Sequence, residues 1–485
     1  MNILFIASEV ESFAKTGGLA DVAKALPLAL KRRGHDVRIV MPYYASIANR
    51  EKAQHLGGFT LPTRPGHTDI PYQVRQMELD DVPVMLIDFP NYFDRKSLYA
   101  ENNNAYPDNG ERFAFFSGAC LQVSEQIGFK PDIVHCNDWH TALVPMLLKT
   151  RYANNPFFQG TRSVLTIHNG AFQGVFERNQ LWALPEVTDT YNESILQGHA
   201  YINFLKCGVL YADKINAVSP SYASELMTYL GGHGMAKNFQ ERSSDIRGII
   251  NGCDYADWDP KSDPLIPVNY DLNRLDDKAL CKHALQKRAG LEIGDTPLFG
   301  MVCRLTEQKG LNLLLPILER FLVHRVQVVM VGTGEPALEE RLTEMMQAHP
   351  ERLAYLNAHD NALAHLVEAG SDFFLMPSLF EPCGLNQMYS LAYGTLPIVR
   401  SVGGLRDTVI DYDQQAKRAT GFSFQEPEPL ALLTTLRRAL LFFLQEPDEY
   451  RRVQQTAMRT RYLWSDSVLS YEQMYRDALG LTGER

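Results

Sequence analysis

The sequence predicts an α/β protein with two doubly wound, Rossmann-like lobes that face a cleft. Short apolar runs alternate with amphipathic stretches along nearly the whole chain, which is typical of parallel strands covered by helices on both faces. The chain has 485 residues, whereas single hydrophobic cores stop growing at about 250–300 residues. The alternation also pauses at 245–265 and resumes near 296. We therefore expect one lobe over 1–248 and a second over 249–460.

The first lobe begins with a βαβ unit. Residues 2–8 (NILFIAS) form a continuous apolar run typical of a buried strand, and 36–42 (DVRIVMP) form the next. Between them, residues 19–34 place apolar side chains at three- and four-residue spacing and end in Gly34, which predicts a helix. Further strands are predicted at 82–89, 131–137, 162–169 and 213–220. Residues 45–80 and 91–110 are predicted to be loop or hairpin insertions.

The second lobe repeats the pattern with strands at 296–304, 326–334, 352–358, 372–378 and 396–404. Its end is followed by the stretch 464–479, where Trp464, Tyr471 and Tyr475 recur at helical spacing. That spacing predicts an amphipathic terminal helix.

Composition and charge exclude several classes of partner. The net charge is −10 and the sequence pI is about 5.8, which disfavours nucleic acids and acidic membranes because both require a basic face. The seven Cys form no C-x-x-C pair and are irregularly spaced, so neither a disulfide framework nor a zinc site is predicted. The apolar N-terminal run lacks basic residues and contains Glu9, which indicates a strand rather than a signal peptide. We expect a cytoplasmic protein.

The loop after the first strand contains the segment KTGGLADV. It deserves inspection because ligands of open α/β sheets bind beyond the carboxyl ends of the strands. It is not a P-loop, because Lys15 precedes the glycines Gly17 and Gly18 instead of following them. It is not the dinucleotide fingerprint either, because the two glycines are adjacent and no third follows at the required step. The loop alone leaves the ligand of Lys15 open.

Two cations follow the first strand of the second lobe. Arg304 comes just after the strand, and Lys309 is predicted at the start of the next helix. A guanidinium, an ammonium and free helix N–H groups together suit a diphosphate. Two unrelated surface cations would be the alternative, which the strand-to-helix context disfavours.

The segment SLFEPCGLNQ (378–387) follows another predicted strand and places Glu381 in a turn ahead of a helix. Such a carboxylate either caps the helix or binds sugar hydroxyls in a cleft. Cys383 in the same turn is not predicted to be a nucleophile, because a small buried Cys is the commoner case and no paired His can be identified.

Two strand-end motifs of the first lobe carry His, Asp and Asn. HCNDWHT contains His135, Asp138 and His140, but His135 is placed in a strand and the others in a loop. Convergence on one ion therefore does not follow, and neither a metal site nor a cofactor is predicted. TIHNGAFQG places His168 at a strand end, followed by Asn-Gly, a context more typical of a site than of a core.

Taken together, these motifs resemble one protein family. The motifs are KTGGLADV, HCNDWHT, TIHNGAFQG, INGCDYADWDP, RLTEQKG and FEPCGLNQMYSLAYGTLPIVRSVGGLRDTV. They occur in the order and at the spacing of bacterial glycogen synthases and plant starch synthases, from residue 1 to about 480. The resemblance implies a GT-B glycosyltransferase that moves glucose from a nucleotide-diphosphate sugar to the non-reducing 4-OH of an α-1,4-glucan, with retention. It implies that residues 461–485 pack back on the first lobe.

The resemblance also implies roles for individual residues, with the acceptor on the first lobe and the donor on the second. Arg304 and Lys309 would hold the diphosphate, and Glu381 would contact glucose hydroxyls. Asp138 and His168 would line the sugar pocket and complete the catalytic set. The implied donor-binding set is Lys15, Gly18, Asn251, Arg304, Lys309, Gly332, Glu381, Cys383, Gly384, Leu385 and Asn386. The partners are ADP-glucose, with UDP-glucose less favoured, and an α-1,4-glucan or maltooligosaccharide.

This chain departs from the family pattern at two positions. Asn386 stands where the family often has Thr, and Ala358 stands where some bacterial members place an aromatic that stacks on adenine. The choice between ADP-glucose and UDP-glucose therefore stays open.

Two other classes also stay open. One is another retaining transferase of this architecture, such as a sucrose synthase-like or trehalose-forming enzyme, which KTGGL disfavours. The other is a non-catalytic glucan-binding homologue, which the filled charged positions disfavour.

Overall fold

The computed structural model describes residues 1–101, 104–181, 183–184, 196–197 and 200–481. The chain divides into two compact units. The first contains residues 1–252 and the C-terminal segment that begins at Trp464, and the second contains Cys253–Leu463. No described helix combines the length and the apolar character that crossing a membrane requires.

The first unit is built on a nine-stranded sheet in the order β14-β13-β9-β8-β1-β2-β5-β4-β3. Its strands are β1 Asn2–Ile6, β2 Asp36–Pro42, β3 Gln54–Leu61, β4 Ile70–Leu79, β5 Val82–Asp88, β8 Ile133–Asn137, β9 Arg162–Ile167, β13 Lys214–Ala217 and β14 Ile246–Gly248. All neighbours pair in parallel except β3, β4 and β5, which form an antiparallel edge. Most of the predicted insertion at 45–80 is thus a hairpin that widens the sheet.

Helices cover this sheet on both faces, as its apolar strands require. They are α1 Gly18–Arg32, α2 Pro90–Phe93, α3 Asn109–Gln126, α4 Val144–Lys149, α5 Phe204–Tyr211, α6 Pro220–Leu226, α7 Ala236–Glu241 and, after the second unit, α16 Trp464–Ala478. Two small sheets stand apart, formed by β6 Ala100–Glu101 with β7 Asn104–Ala105, and by β10 Val175–Glu177, β11 Leu196–Gln197 and β12 Tyr201–Asn203.

The C-terminal helix α16 packs on the strands of the first unit. Tyr475 Oη lies 2.7 Å from Nδ1 of His135 on β8, and Asn216 of β13 donates to Tyr471 Oη at 2.9 Å. Glu472 accepts from Nε of Arg33 at 2.6 Å. These contacts give buried polar side chains on two strands their partners, so the first unit is completed by residues from the end of the chain.

The second unit is a parallel six-stranded sheet in the order β17-β16-β15-β18-β19-β20. Its strands are β15 Leu298–Val302, β16 Gln327–Val331, β17 Leu353–Leu356, β18 Phe373–Met376, β19 Leu396–Arg400 and β20 Phe422–Phe424. Its helices are α8 Lys278–Ala289, α9 Leu311–Leu322, α10 Pro336–Ala348, α11 Asn361–Gly370, α12 Asn386–Tyr393, α13 Gly403–Thr408, α14 Pro429–Gln445 and α15 Pro447–Arg459. Both sheets place adjacent strands so that several motif-bearing loops leave from one edge.

Candidate active site

In the second unit, a cavity of about 190 Å³ opens beyond the ends of β15 and β18. It is lined by Met301, Val302, Cys303, Arg304, Lys309, Leu375, Met376, Ser378 and Asn386. Two predicted cations and one predicted amide thus line the same cavity. The sheet order explains the convergence, because β15 and β18 are neighbours.

An ion pair lies at this cavity. Lys309 Nζ is 2.7 Å from Oε2 of Glu381. Glu381 is buried, with only 7% of its surface exposed. Ser378 donates its hydroxyl to the same Oε2 at 2.9 Å. The other oxygen, Oε1, takes part in no hydrogen bond with any described residue. The carboxylate is therefore fixed through one oxygen while the second is left to accept from a ligand.

The sequence predicted Lys309 at the start of a helix, and this prediction is wrong. Lys309 ends a short 3₁₀ turn, Glu307–Lys309, and α9 begins at Leu311. Gly310 separates the two with φ of 78°, and a Cβ there would lie 2.0 Å from the carbonyl oxygen of Pro377. This close approach to the end of β18 ends the turn, so Lys309 points from a tight loop.

Arg304 is exposed at the mouth of the cavity, two residues beyond β15. Burial raises the pKa of the neighbouring Cys303 thiol to about 12, while Lys309 and Arg304 act in the opposite direction. Both cations therefore exert their field on the same point of the loop. Two cations beside one loop suit a bound anion, and the buried Glu381 offsets part of their field.

Backbone geometry shapes two further predicted positions. Gly332 follows β16 with φ of +156°, and a Cβ there would lie 1.9 Å from the carbonyl oxygen of Cys303. Gly384 has φ of +73° and lies against the side chains of Glu381 and Gln387. Only glycine meets both the angle and the space at these positions.

The remaining predicted donor residues of this unit lead into α12. Cys383 is buried, Leu385 is the residue before the helix, and Asn386 is the first helical residue. Asn386 Nδ2 donates to the carbonyl oxygen of Val302 at 3.4 Å, which ties the helix start to the end of β15. The first N–H groups of α12 thus lie next to the cavity wall.

In the first unit, Asp138 follows β8 in a strained conformation. Its φ is 55° and its ψ is −174°, which non-glycine residues rarely adopt. Its Oδ1 accepts from the backbone N–H groups of His168 at 2.7 Å and Asn169 at 3.4 Å. Burial raises the pKa of this carboxyl to about 7, although the two N–H groups act in the opposite direction. Strain and a displaced pKa together are typical of a functional carboxylate.

His168 follows the neighbouring strand β9. Its Nε2 lies 3.0 Å from Asn137 Oδ1, and Asn137 Nδ2 donates to the carbonyl oxygen of Ile6 at 2.9 Å. That second bond leaves Oδ1 as the acceptor, so His168 Nε2 carries the proton. Burial lowers the pKa of His168 to about 3. The imidazole is therefore neutral near pH 7, with Nδ1 available as an acceptor.

Lys15 lies in the loop between β1 and α1, and β1 is paired with β8. Its Nζ is 2.6 Å from Asp21 Oδ1, and its side chain is half exposed. A Cβ added to Gly17 or Gly18 would meet nothing within 4 Å, so the space beside this loop is open. Asn251, also predicted, is buried beyond β14, and its Oδ1 has no hydrogen-bond partner among the described residues.

The structure thus brings Arg304, Lys309, Glu381 and Asn386 together in one unit, and Asp138 and His168 in the other. Sequence reasoning missed Ser378 and Asn137, which hold Glu381 and His168 in place. Ser378 lies three residues before Glu381, and Asn137 directly precedes Asp138. Closeness in sequence to a predicted site residue was the signal that could have identified them. The described residues contain no group of three His, Cys, Asp or Glu side chains arranged to hold a metal ion.

Two family models match the chain. Residues 2–241 match the starch synthase catalytic domain, and residues 284–459 match the glycosyl transferases group 1 model. The chain is 62% identical over 479 residues to a glycogen synthase of Aeromonas hydrophila subsp. hydrophila, covering 99% of this chain and 98% of that protein. It is 54% identical over 478 residues to a glycogen synthase of Vibrio cholerae serotype O1, covering 98% of each.

Solved structures also match nearly the whole chain. The catalytic domain of Starch Synthase IV from Arabidopsis thaliana, bound to ADP and acarbose, superimposes with a TM-score of 0.89 at 31% identity, covering 99% of each chain. A sucrose-phosphate synthase from Thermosynechococcus elongatus shares the fold, with a TM-score of 0.61 at 18% identity over 99% of this chain and 100% of that one. The fold prediction of two Rossmann-like lobes is confirmed, and the chain belongs to the glycogen synthase and starch synthase family of GT-B glucosyltransferases.

Proposed function

We propose that the protein is a glycogen synthase that transfers glucose from ADP-glucose to the non-reducing 4-OH end of an α-1,4-glucan, with retention of configuration. The observation that carries the proposal is the cavity at the ends of β15 and β18, where Arg304 and Lys309 lie with the buried Glu381. Family membership supplies the reaction class, and these residues supply the means to bind the donor.

The leaving group is a nucleoside diphosphate that gains negative charge as the glycosidic bond breaks. Arg304 and Lys309 offset that charge, and the N–H groups at the start of α12 add to their effect. Cys383, Gly384 and Leu385 shape the turn in front of that helix, and Gly332 allows the backbone close approach. Fixed donors of this kind need little rearrangement in the transition state.

The glucosyl group lies, in this proposal, against Glu381. Lys309 and Ser378 both donate to Oε2, so Oε1, which bonds to no described residue, accepts a sugar hydroxyl. Lys309 then serves two purposes, since it fixes Glu381 and carries positive charge toward the diphosphate. Asp138, His168, Lys15, Gly18 and Asn251 of the first unit also act on the donor.

Retention is explained best by same-face attack guided by the leaving phosphate. The anomeric carbon becomes oxocarbenium-like, and a nearby carboxylate stabilises it without forming a covalent bond. Asp138 serves this purpose when it is ionised, and His168 accepts a hydrogen bond at Nδ1. Neither residue is assigned a proton-transfer step.

ADP-glucose is preferred over UDP-glucose on the strength of the relatives. The Starch Synthase IV structure was bound to ADP, and it matches this chain over 99% of its length. Ala358, which follows β17, offers no ring for stacking on a base. We therefore expect a preference for adenine that depends on contacts other than stacking at this residue.

Cytoplasmic location is part of the same proposal. All seven Cys lie in the described part of the chain and none forms a disulfide, and six of them are buried. Cysteines outside disulfides are typical of a reducing compartment, where nucleotide sugars are also available.

The test compares initial rates with ADP-glucose and UDP-glucose on a glycogen primer, with and without added Mg²⁺. We expect chain extension that is fastest with ADP-glucose and independent of added metal, and a fall of about 10²–10³-fold in Lys309→Ala. The exposed cation variant Lys287→Ala is the matched control. Failure to extend the primer with either donor would contradict the proposed function, and a strict metal requirement would contradict the role of the cation pair.

A further inference from the structure

Glu9 is a buried carboxylate with an unusual set of partners. It lies three residues beyond β1 and is only 4% exposed. Its Oε2 accepts from the backbone N–H groups of Thr16 at 2.5 Å and Gly17 at 3.2 Å. Its Oε1 accepts from Thr16 Oγ1 at 2.6 Å and from Tyr99 Oη at 2.7 Å.

These partners are neutral dipoles, and no ion pair of the described residues includes Glu9. A buried carboxylate that lacks a cation needs several donors, and removing them leaves a costly unsatisfied charge. The bonds to Thr16 and Gly17 therefore hold the backbone strongly at the two residues that follow Lys15. The Lys15 loop is fixed from the inside while its ammonium stays half exposed.

Tyr99 connects the same carboxylate to a second segment. Its hydroxyl lies 2.7 Å from Glu9 Oε1 and 2.8 Å from Ser8 Oγ. Burial and the neighbouring Glu9 raise the pKa of this phenol, so it stays protonated and donates. Glu9 thereby joins the Lys15 loop to the segment between α2 and β6.

The matching carboxylate in the same loop is Glu11. It is partly exposed and pairs with Lys24 Nζ, and Ser12 donates to it at 2.8 Å. None of these contacts reaches the backbone of residues 15–18. Glu11 acts on Lys15 only through its charge and holds none of the loop backbone, so it is a control for the loss of a nearby negative charge.

We propose that Glu9 is a positioning residue for donor binding, which acts by fixing the backbone of Thr16 and Gly17 so that Lys15 is presented to the donor diphosphate. The inference rests on the proposed function, in which Lys15 binds the donor. Glu9 itself contacts neither donor nor acceptor in this proposal. A loop held by a carboxylate loses less conformational freedom on binding, which favours affinity.

The test uses Glu9→Gln in the full-length enzyme. The amide keeps the size of the side chain but has one acceptor oxygen in place of two, so it cannot satisfy all four donors. We expect kcat/KM for ADP-glucose to fall about 10- to 100-fold, mainly through KM, with little change in KM for the glucan primer. Glu11→Gln should change neither value by more than about twofold.

A double-mutant cycle separates positioning from general loss of structure. If Glu9 acts through Lys15, Glu9→Gln should cost less than about twofold in a Lys15→Ala background. Thr16→Val, which removes one hydroxyl donor and keeps the backbone bonds, should give a smaller loss that disappears in the same background. Should Glu9→Gln fail to fold, the Thr16→Val pair alone decides the question.

The outcomes distinguish this inference from the proposed function. Normal donor kinetics in Lys15→Ala would overturn the role of Lys15 and the inference with it. A large loss in Lys15→Ala with unchanged kinetics in Glu9→Gln and Thr16→Val, or with fully additive losses, would overturn the inference alone. If Glu9→Gln and Lys15→Ala each lower donor kcat/KM and the double variant loses little more than Lys15→Ala alone, the inference is supported.

Discussion

Lys309 Nζ and Glu381 Oε2 lie 2.7 Å apart, and the carboxylate of this pair is much less exposed than the ammonium. The pair is therefore asymmetric, with Glu381 fixed in the protein and Lys309 turned toward the cavity. If Lys309 binds the donor as proposed, such a pair links donor binding to the stability of the second unit, because each partner compensates the charge of the other.

Replacing Lys309 should lower both activity and stability. In Lys309→Ala we expect kcat/KM for the donor to fall by about 10²–10³-fold, the usual cost of removing one fixed donor at developing charge. The free energy of unfolding should fall by about 1–3 kcal/mol, because the buried Glu381 loses its partner. Initial rates and urea unfolding measure the two effects. A variant that is stable and fully active would contradict the assignment, and Lys287→Ala should behave as the parent.

Asp138 should give the reaction an acid limb. Its carboxyl has a pKa of about 7 because it is buried, so it ionises near neutral pH. If the ionised form stabilises the oxocarbenium-like centre, kcat/KM should rise as pH passes through about 7 and then level off. Asp138→Asn should lower the plateau at least 100-fold and remove this limb. A profile of kcat/KM from pH 5.5 to 9 tests this prediction. An unchanged acid limb in Asp138→Asn would contradict the proposed role of the ionised carboxylate.

Asp138 should make stability fall as pH rises, whereas it makes activity rise. The folded pKa of about 7 lies above the usual 3.8, so between these values the unfolded chain releases a proton that the folded protein keeps. The free energy of unfolding therefore falls as pH rises through this window. Asp138→Asn should be more stable than the parent by about 1 kcal/mol or more at pH 8, and the difference should vanish below about pH 4. If the variant and the parent were equally stable at pH 8 as well as below pH 4, the raised pKa of Asp138 would be contradicted.

His168 should make the protein sensitive to acid. Burial lowers its pKa from 6.5 to about 3, so between these values the unfolded chain binds a proton that the folded protein does not. The stability that the neutral imidazole contributes is present above about pH 6.5 and is lost as pH falls toward 3. His168→Asn should lose less stability than the parent between pH 7 and pH 4, as measured by urea unfolding. The exposed His359→Asn is the control and should follow the parent.

Gly332 should tolerate no side chain. A Cβ would lie 1.9 Å from the carbonyl oxygen of Cys303, and the φ of +156° is strained for any other residue. Gly332→Ala should lower the free energy of unfolding by about 2–4 kcal/mol and reduce donor affinity, because the loop that carries Arg304 must move. Gly294→Ala, where a Cβ meets nothing within 4 Å, should be nearly neutral in thermal unfolding. Equal effects in the two variants would contradict this account.

Strand-end residues could be predicted from the sequence because a simple rule identifies them. Arg304, Glu381, Asp138 and His168 each follow an apolar run, and parallel strands direct such residues to one edge of the sheet. The strands themselves proved one to several residues shorter than the apolar runs at most ends, since terminal apolar residues also pack in loops. Family resemblance added the roles that strand position alone does not give.

Other features depend on contacts between distant segments and carry no local signal. The turn that holds Lys309 ends at Gly310 because the backbone at Pro377 lies against it, 67 residues later. Glu9 lies where the chain is still largely apolar, and nothing in its neighbours shows that its side chain turns back to Thr16. Asn137 holds His168 in place through an amide that lies between Ile6 and His168, and these residues are far apart in the sequence.

The packing of α16 on the first unit has a consequence for the order in which the protein is made. Residues 253–463 form a unit from one uninterrupted stretch, which can fold as soon as it has left the ribosome. The first unit is synthesised earlier, yet His135 and Asn216 lack their tyrosine partners until residues 464–478 are complete. The part of the chain made first is therefore finished last, and a nascent chain that stalls before Trp464 leaves that surface open to chaperones.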